Sequence, residues 1–257
     1  MIDTNSISFI GSGNVANHLS RALQKENITI SHIYSRNLNT AQELAGKINA
    51  IVVNELSDLP NQLTIVCVSD DSIHSVIDKI NPKIPIAYTS GTVELSSFSS
   101  RENIGVFYPL QTFSKNREVD FFEVPIFIES NSEYFTSILF DLGWKVSREV
   151  NHASSTERKK MHIAAVMVNN FTNHIIHLAQ KYSHDNDINF DYLRPLLNET
   201  VAKLEITSAR KAQTGPARRG DVKIIEEHLK TLSGTTRDVY QLITKSIIET
   251  YKNNDKL

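Results

Sequence analysis

The sequence has one cysteine, no long apolar run and almost no net charge, and each shortage excludes a class of protein. Cys67 cannot form a disulfide within the chain, and its apolar neighbours in TIVCV are typical of a thiol buried in a strand. A zinc site with several cysteines is excluded, and no metal is expected. No stretch approaches the roughly 20 apolar residues of a membrane span, and the opening MIDTNSISFIGSGN does not resemble a signal peptide. We therefore expect a cytoplasmic protein with no membrane partner.

The formal net charge of -2 across 257 residues gives no polybasic signal. Nucleic acid is therefore not expected as a partner, and any anion binding has to be local. Several catalytic and nucleotide motifs are also missing. The chain has no G-x-x-x-x-G-K-[ST] phosphate loop, no Tyr-x-x-x-Lys pair of short-chain reductases, no G-x-S-x-G and no H-E-x-x-H. What remains is a soluble globular protein whose length favours two domains.

Short apolar runs of strand type alternate with helical stretches through the first half of the chain. This alternation is typical of a parallel sheet covered by helices. The runs are ISFIG (7–11), ITISHIYS (28–35), AIVV (50–53), LTIVCVS (63–69), IPIAYTS (84–90), GVFYPL (105–110), VPIFIES (124–130) and WKVSREV (144–150). The last two flank the helical stretch NSEYFTSILFDLG. The sequence therefore predicts an α/β domain over residues 1–152, with a mostly parallel sheet of about eight strands.

After the last of these runs, the pattern predicts helices only. Ser154 followed by Glu157 is a capping box, and the helix that it opens is predicted to continue to about Tyr182. Three further helical stretches are YLRPLLNETVAKLEIT, in which Pro195 is tolerated only in the first turn, VKIIEEHLKTL and TRDVYQLITKSIIETYK. We expect an all-helical domain over residues 153–257.

A glycine-rich turn lies between the first strand and the helix that follows it, in ISFIGSGNVANHLSRAL. It reads G-x-G-x-x-A, in which the first Gly permits a tight turn, the second lets a pyrophosphate approach the backbone, and the Ala lets helix pack on strand. The helix N-terminus would then face the phosphates of a dinucleotide. The alternative is a turn that binds nothing. The residues predicted to bind the cofactor here are Gly11, Ser12, Gly13, Asn14 and Val15.

The end of the second strand indicates which dinucleotide is bound. An acidic residue about 20 positions after the glycines would bind the ribose hydroxyls of NAD. The sequence instead has Ser35 and Arg36, a hydroxyl and a guanidinium that suit a 2′-phosphate, so NADP is favoured over NAD. The alternative is that Arg36 is a solvated charge at the start of the next helix. The missing carboxylate also argues against a methyltransferase.

Polar residues follow the fourth, fifth and sixth strands, at the edge of a parallel sheet where ligands bind. There we predict cofactor contacts for Ser69, Asp70, Ser90 and Gly91, and substrate contacts for Gln111 and Thr112. The TSG and PLQTF turns put small polar groups and backbone N–H where a nicotinamide and a carbonyl would meet. Ordinary loop polarity is the alternative, and it explains Asp70 and Asp71 as the cap of the helix DSIHSVIDKI.

The long predicted helix carries residues at the spacing of a single helical face. Separations of three, four, three and four place on that face Lys159, His162, Val166, Asn169 and Asn173. Such a stripe meets solvent or lines a cleft, and the residues alone slightly favour solvent. In a cleft, a Lys or a His would protonate the anion that develops when hydride arrives at a carbonyl or imine.

The segment TGPARRGD joins two predicted helices through a turn set by its Gly and Pro. Asp221 is expected to cap the helix that follows. Because the cofactor phosphates are assigned elsewhere, Arg218 and Arg219 are free to bind a substrate carboxylate. The alternative for one of them is a structural ion pair with the region of Glu226 and Glu227.

FIGSGNVA, the TSG turn, YPLQTF, HIAAVMVNNF and TGPARRGD together resemble a family of NADP-dependent oxidoreductases in which a Rossmann-like domain precedes a helical domain of unknown function. PLQTF and TGPxxRGD at this spacing are specific to that family, and the resemblance spans essentially the whole chain. It implies an architecture like that of pyrroline-5-carboxylate reductases, 3-hydroxyisobutyrate dehydrogenases and ketopantoate reductase. In those enzymes the helical half completes the site and commonly forms a homodimer.

The hydroxyacid dehydrogenases in this group carry a catalytic Lys and an Asn one turn apart, with a Ser-Gly turn nearby. Here Ile163 stands four residues after Lys159, so the pair is absent. The resemblance then implies His162 as the acid, with Asn169 and Ser90 orienting the substrate. The predicted catalytic residues are His162, Asn169, Ser90 and Lys159.

The leading hypothesis is an NADP(H)-dependent oxidoreductase that moves hydride to or from a small carbonyl or imine compound bearing a carboxylate, in a cleft between the two halves. The alternative is a non-catalytic NADP-binding sensor or scaffold that dimerises through its helical domain, which the missing Lys-x-x-x-Asn pair favours. A third hypothesis is a metal-ion reductase or a deazaflavin-dependent relative.

Overall fold

The structure is a computed structural model that describes residues 2–252. The chain divides into two compact units, Met1–Asn169 and Asn170–Leu257. The predicted boundary at residue 152 stays a prediction, and the outermost residues of the two predicted domains, 1 and 253–257, lie outside the described part. The contacts of the chain place the first helix after residue 152 with the first unit.

The first unit contains one eight-stranded sheet with the order β3-β2-β1-β4-β5-β6-β7-β8. Every neighbouring pair is parallel except β6 and β7, which are antiparallel. The strands are β1 (Ser6–Ile10), β2 (Thr29–Tyr34), β3 (Ile51–Val53), β4 (Thr64–Val66), β5 (Ile86–Tyr88), β6 (Ile104–Pro109), β7 (Ile126–Ser130) and β8 (Val150–His152). The prediction of a mostly parallel sheet of about eight strands is confirmed.

Five helices belong to the first unit. They are α1 (Asn14–Lys25), α2 (Leu38–Ile48), α3 (Asp70–Ile77), α4 (Glu133–Val146) and α5 (Ser155–Ala165). Short 3-10 turns lie at Leu56–Asp58, Leu95–Phe98 and Phe121–Glu123. The predicted capping box opens α5, because the Ser154 side chain accepts from the Glu157 amide and the Glu157 carboxylate accepts from the Ser154 amide.

The prediction of a strand over 144–150 was wrong in its position. Residues up to Val146 continue α4, and the strand begins only at Val150. The apolar residues at the end of α4 fit a strand and a helix equally well. Val146 follows the buried Leu142 by one helical turn, so both lie on the buried face of the helix.

Alternating strand positions enter two hydrophobic clusters, as expected for a sheet that is covered on both faces. On β1, Phe9 lies in one cluster and Ile10 in the other. On β6, Phe107 and Tyr108 divide in the same way. Tyr108 therefore shares its face of the sheet with Ile10, a position that bears on the candidate site.

The described residues of the second unit form helices and their connections, with no strand, as predicted. Pro195 occupies the first turn of its helix, the only place where a helix tolerates it without loss of a hydrogen bond. The helices are α6 (Thr172–Asp185), α7 (Arg194–Ile206), α8 (Ala209–Ala212), α9 (Pro216–Arg219), α10 (Val222–Thr231) and α11 (Gly234–Lys252), with a 3-10 turn at Phe190–Leu193.

The long helix predicted to run to about Tyr182 is interrupted by a π-helical segment, Val166–Phe171, between α5 and α6. A π-helical turn takes in one more residue than an α-helical turn, so spacing counted across it no longer returns to the same face. The predicted single stripe from Lys159 to Asn173 was therefore wrong beyond α5. Lys159 and His162 keep their shared face, because both precede the segment.

Within residues 2–252, no helix combines the length and the apolar character that crossing a membrane requires.

Candidate cofactor site and active site

The glycine turn after β1 is held by a close approach to β4. Gly11 has φ +106°, and a Cβ there would lie 2.1 Å from the carbonyl oxygen of Cys67. Its amide donates a hydrogen bond to the carbonyl oxygen of Tyr34, at 2.8 Å. Only glycine fits both the dihedral angle and the space. Cys67 itself is buried, as predicted, and burial raises the pKa of its thiol to about 12.

The N-terminus of α1 is open to an anion. Gly13 is the N-cap residue, no side chain caps the helix, and no acidic residue lies in its first turn. A Cβ added at Gly13 would meet nothing within 4 Å. Uncapped N–H groups at the positive end of a helix dipole, next to open space, fit the pyrophosphate of a dinucleotide.

Two other members of the turn are engaged within the protein. The Ser12 hydroxyl is 2.9 Å from that of Ser35 and 2.6 Å from that of Thr40, which ties the turn to the end of β2. The Asn14 side-chain nitrogen Nδ2 donates to the Phe113 carbonyl oxygen at 2.7 Å. Ser12 and Asn14 therefore shape the turn, and their predicted cofactor contacts, like that of Val15 in the first turn of α1, stay predictions.

Arg36 is exposed at the start of the β2–α2 connection. Across residues 2–252 it makes no ion pair and no side-chain hydrogen bond. Asn37, directly after it, caps α2 by accepting from the Thr40 amide at 3.2 Å. The Arg36 guanidinium is thus available to an external phosphate, although the structure also fits the alternative of a solvated charge.

At the end of β4, the interpretation of Asp70 and Asp71 as a helix cap was wrong. Ser69 occupies the N-cap position of α3, and the two aspartates lie in its first turn. Their negative charges stabilise the helix by interacting with the positive end of its dipole. The Asp70 carboxylate accepts a short hydrogen bond from the Thr92 hydroxyl. Asp70 therefore links α3 to the turn that follows β5.

That turn contains Ser90, which is 3% exposed. Its Oγ accepts hydrogen bonds from the amides of Thr92 and Val93, both at 3.0 Å. The hydroxyl oxygen holds the shape of the turn, and the catalytic role predicted for Ser90 stays a prediction. Gly91, the next residue, touches Tyr108: a Cβ at Gly91 would lie 2.6 Å from the Tyr108 ring carbon Cζ.

His162 contacts Tyr108, a residue that the sequence analysis did not identify as part of the site. The Tyr108 hydroxyl lies 3.3 Å from His162 Nδ1. Burial raises the pKa of Tyr108, the Asp70 charge adds to that rise, and Arg158 opposes it. The position of Tyr108 in YPLQTF could have identified it. Tyr108 lies one residue before the end of β6, at the carboxyl edge of the sheet, where ligands bind in such folds.

Lys159 and Asn169 differ in their surroundings from His162. Lys159 forms an ion pair with Glu94, and its hydrogen bond is the largest cause that lowers the pKa of that carboxyl. Both side chains are about half exposed, so the pair contributes little to stability. Asn169 lies in the π-helical segment and is exposed. The catalytic roles predicted for these two residues stay predictions.

A second residue that sequence reasoning missed is Arg158, which is fully buried. Its guanidinium forms an ion pair with Glu129 on β7 and donates to the Val93 carbonyl oxygen at 2.9 Å. It also donates to the Ser155 hydroxyl at 3.3 Å. The side chain thereby fastens α5, and with it His162, to the sheet and to the Ser90 turn. Nothing in the sequence pattern predicted that Arg158 is buried, because an arginine on a helix is usually solvated.

The PLQTF segment joins the glycine turn to the edge of the sheet. Its Phe113 carbonyl oxygen accepts from Asn14, and the Ser114 carbonyl oxygen lies 3.0 Å from His18 Nε2 on α1. Gln111 and Thr112 are exposed, and the Gln111 side chain accepts from the Thr112 amide at 2.8 Å. Their predicted substrate contacts stay predictions.

In the second unit, TGPARRGD forms a helical turn rather than a simple loop. Gly215 caps α9 with φ +102°, Pro216 is its first residue, and Gly220 ends it with φ +75°. Asp221 is the N-cap residue of α10, as predicted, but its side chain makes no capping hydrogen bond. It accepts instead from Arg219, at 2.9 Å from Nε.

The two arginines of this turn therefore have different partners. Arg219 pairs with Asp221, and the alternative of a pair with the region of Glu226 and Glu227 is not observed. Arg218 places its guanidinium 4.3 Å from the centre of the Tyr251 ring, a cation–π contact. Within the described residues Arg218 has no carboxylate partner.

Two family models match the chain. Residues 6–87 match the model described as NADP oxidoreductase coenzyme F420-dependent, and residues 124–247 match a domain of unknown function, DUF2520. None of the curated proteins matches the chain in sequence.

Solved structures extend the match to the whole chain. A Bacteroides fragilis protein, named as a candidate NADP oxidoreductase, is 35% identical, with a TM-score of 0.88 over 95% of this chain and 98% of that chain. A reductive aminase from Aspergillus terreus, in complex with NADPH and ethyl-5-oxohexanoate, is 13% identical, with a TM-score of 0.69 over 97% and 96%. A 1-pyrroline-5-carboxylate reductase from Streptococcus pyogenes is 15% identical, with a TM-score of 0.61 over 95% and 98%.

The last two likenesses are distant and show the fold alone, whereas the first is close enough to show a family. The chain therefore belongs to the family of NADP oxidoreductases in which a Rossmann-like domain is followed by DUF2520.

Proposed function

We propose that the protein uses NADPH to reduce a small carbonyl or imine compound that bears a carboxylate. The observation that carries the proposal is the uncapped N-terminus of α1 at Gly13, with open space where a Cβ would lie. The names of the distant neighbours, a reductive aminase and a pyrroline carboxylate reductase, support reduction at a C=N or C=O bond. The bound cofactor would supply the hydride. The residues of the chain would bind, orient and protonate the substrate.

Within the second unit, Arg218 is the better candidate for the substrate carboxylate. Arg219 already has an anionic partner in Asp221, whereas Arg218, within residues 2–252, contacts the ring of Tyr251 and no carboxylate. A guanidinium that rests on an aromatic ring keeps its hydrogen-bond donors available at its edge. This refines the prediction, which treated the two arginines alike.

A panel of three compounds tests the reaction: 1-pyrroline-5-carboxylate and pyruvate, which bear a carboxylate, and ethyl 5-oxohexanoate, an ester that does not. We expect NADPH oxidation with at least one of the two carboxylates. We also expect a carboxylate-bearing product or analogue to raise the unfolding temperature only when NADP+ or NADPH is present. A ligand at 100 times its Kd stabilises by about 2.7 kcal/mol, which is easily measured.

The panel also tests the second candidate function, a non-catalytic NADP-binding protein. One observation favours it: Lys159, one of the predicted catalytic residues, is bound to Glu94 in an ion pair. It requires tight NADPH binding without oxidation by any carbonyl or imine. A deazaflavin or a ferric salt that is reduced where the panel is not would favour the third hypothesis.

The preference for NADP over NAD is proposed to come from Arg36, which has no partner within the described residues. Arg36→Ala is expected to remove a hydrogen bond to a charged phosphate, worth about 1.5–3 kcal/mol. The Kd for NADPH should rise roughly 10- to 100-fold, and that for NADH less than about twofold. Isothermal titration measures both. Arg148→Ala, which removes an exposed charge paired with Glu123, is the control; equal losses for both cofactors with Arg36→Ala would contradict the assignment.

We also propose that the protein forms a homodimer through its helical unit. Large apolar side chains of this unit are exposed, among them Ile206 at 86%, Tyr192 at 77% and Leu242 at 68%. Contiguous exposed apolar surface marks protein interfaces, and these side chains are the candidates for one. Analytical ultracentrifugation decides: a single monomeric species at micromolar concentration would refute the dimer.

A further inference from the structure

Tyr108 and His162 form a contact between the sheet and α5 that no assigned role explains. The hydroxyl of Tyr108 and Nδ1 of His162 are 3.3 Å apart, and which of them donates depends on the tautomer of the imidazole. Tyr108 is 9% exposed, and His162 is half-buried. The pair joins the end of β6 to the helix on which the resemblance places the proton donor of related reductases.

The position of the Tyr108 hydroxyl is fixed by its surroundings. Gly91 leaves room for the ring only because it has no side chain: a Cβ there would lie 2.9 Å from the hydroxyl oxygen and 2.6 Å from Cζ. The ring is held on the face of the sheet that carries the second hydrophobic cluster. The hydroxyl thus lies directly beside the Ser90–Gly91 turn, the turn predicted to contact the nicotinamide.

Burial is the main cause that raises the pKa of Tyr108, the Asp70 charge adds to the rise, and the Arg158 charge opposes it. The phenol is therefore neutral around pH 7 and carries a proton. An alkoxide or amide anion that forms as hydride arrives is far more basic than a phenolate. Proton transfer from the phenol to that anion is therefore downhill.

We propose that Tyr108 is the proton donor of the reductase site, and that His162 is a positioning residue that holds the hydroxyl and returns a proton to it. This inference rests on the proposed function. A bound cofactor would supply hydride to the carbon of the C=O or C=N bond, which would leave the π electron pair on oxygen or nitrogen. That atom takes the hydroxyl proton of Tyr108. The phenolate regains a proton from His162, which takes one from water, so one hydride and one proton are consumed per turnover.

This assignment differs from the sequence-based one, which made His162 the acid. The reason is geometric: Tyr108 projects from the carboxyl end of a strand beside the Ser90–Gly91 turn, whereas His162 reaches that point through the Tyr108 hydroxyl. A tyrosine also keeps its proton over the whole range in which an imidazole loses it.

Tyr108→Phe removes the hydroxyl and keeps the ring that packs on Gly91. With the panel compound that wild type reduces fastest, we expect kcat to fall about 100-fold, with the Kd for NADPH unchanged. Tyr88→Phe is the matched control, because Tyr88 is also a buried tyrosine on this sheet. Its hydroxyl donates to the Val93 carbonyl oxygen, at 3.3 Å, and is hydrogen-bonded with Arg158. The variant should keep kcat within about twofold.

His162→Gln is expected to lower kcat about tenfold, with KM little changed, and the double variant with Tyr108→Phe should be no slower than Tyr108→Phe alone. Such non-additivity identifies residues that act as one unit, which a merely structural role would not produce. Additive losses, or full turnover by Tyr108→Phe, would overturn the proposal.

A measurement without turnover separates this inference from the proposed function. In protein labelled with 15N-histidine, Tyr108→Phe should shift the Nδ1 resonance of His162, while Tyr88→Phe should leave it in place. An unchanged resonance in Tyr108→Phe overturns the pair even if the wild type is an active reductase. A wild type that oxidises no NADPH with the panel overturns the proposed function and the proton step with it.

Discussion

Gly11→Ala is expected to destabilise the first unit severely and to abolish NADPH binding. The new Cβ would lie 2.1 Å from the Cys67 carbonyl oxygen, and φ +106° is a conformation that alanine rarely adopts. Backbone strain and overpacking each cost about 1–3 kcal/mol. Against a typical unfolding free energy of about 5–15 kcal/mol, the sum is large. Chemical denaturation followed by circular dichroism measures the loss.

Gly13→Ala is the matched variant in the same turn. Its φ of -77° suits any residue, and the added methyl would meet nothing within 4 Å. We therefore expect an unfolding free energy within about 0.5 kcal/mol of the wild type. The methyl would occupy the space proposed for the pyrophosphate, so NADPH affinity should fall at least about tenfold. If Gly13→Ala binds NADPH normally, the cofactor is not held at this helix end.

Glu129→Gln is expected to cost about 3–5 kcal/mol of unfolding free energy, because it leaves the buried guanidinium of Arg158 without its counter-charge. Arg158 is 0% exposed, and Glu129 is 16% exposed. The Nε atom of Arg158 already has no hydrogen-bond partner within the described residues, so the site has no spare acceptor. Urea denaturation of the variant and the wild type gives the difference.

The exposed pair of Glu123 and Arg148 provides the control for this variant. Their side chains are 47% and 62% exposed, so Glu123→Gln should cost less than about 1 kcal/mol. Adding Arg158→Met to Glu129→Gln should recover part of the loss, since an apolar side chain removes the unpaired charge. Equal costs for Glu129→Gln and Glu123→Gln would show that burial of the guanidinium does not govern its energetics.

The sheet could be predicted because each of its strands is a local apolar run between turn residues. The runs ISFIG and GVFYPL predict β1 and β6 from local sequence alone. The prediction failed at 144–150, where one apolar pattern suits a strand and the end of α4 equally. It failed again at Val166–Phe171, because no residue in that stretch marks a π-helical turn.

Part of the candidate site could likewise be predicted from local sequence, and part could not. The glycine turn is a local motif, and the structure places Gly11 and Gly13 as that motif requires. Tyr108 and Arg158 were missed because their roles depend on neighbours distant in sequence. Tyr108 meets His162 across 54 positions, and Arg158 meets Glu129 across 29. The spacing of residues along the sequence does not show that an arginine is buried or that a tyrosine contacts a histidine.

The contact between Gly91 and Tyr108 has a consequence for the evolution of the family. The ring occupies the volume that a side chain at position 91 would need, since a Cβ there would lie within 3.0 Å of three Tyr108 atoms. Among relatives, the two positions should covary: an alanine or serine at 91 is compatible only with a smaller residue at 108. Lineages that replaced the aromatic ring by a smaller side chain would then be released from the glycine, and each such loss would mark a change in the chemistry of the site.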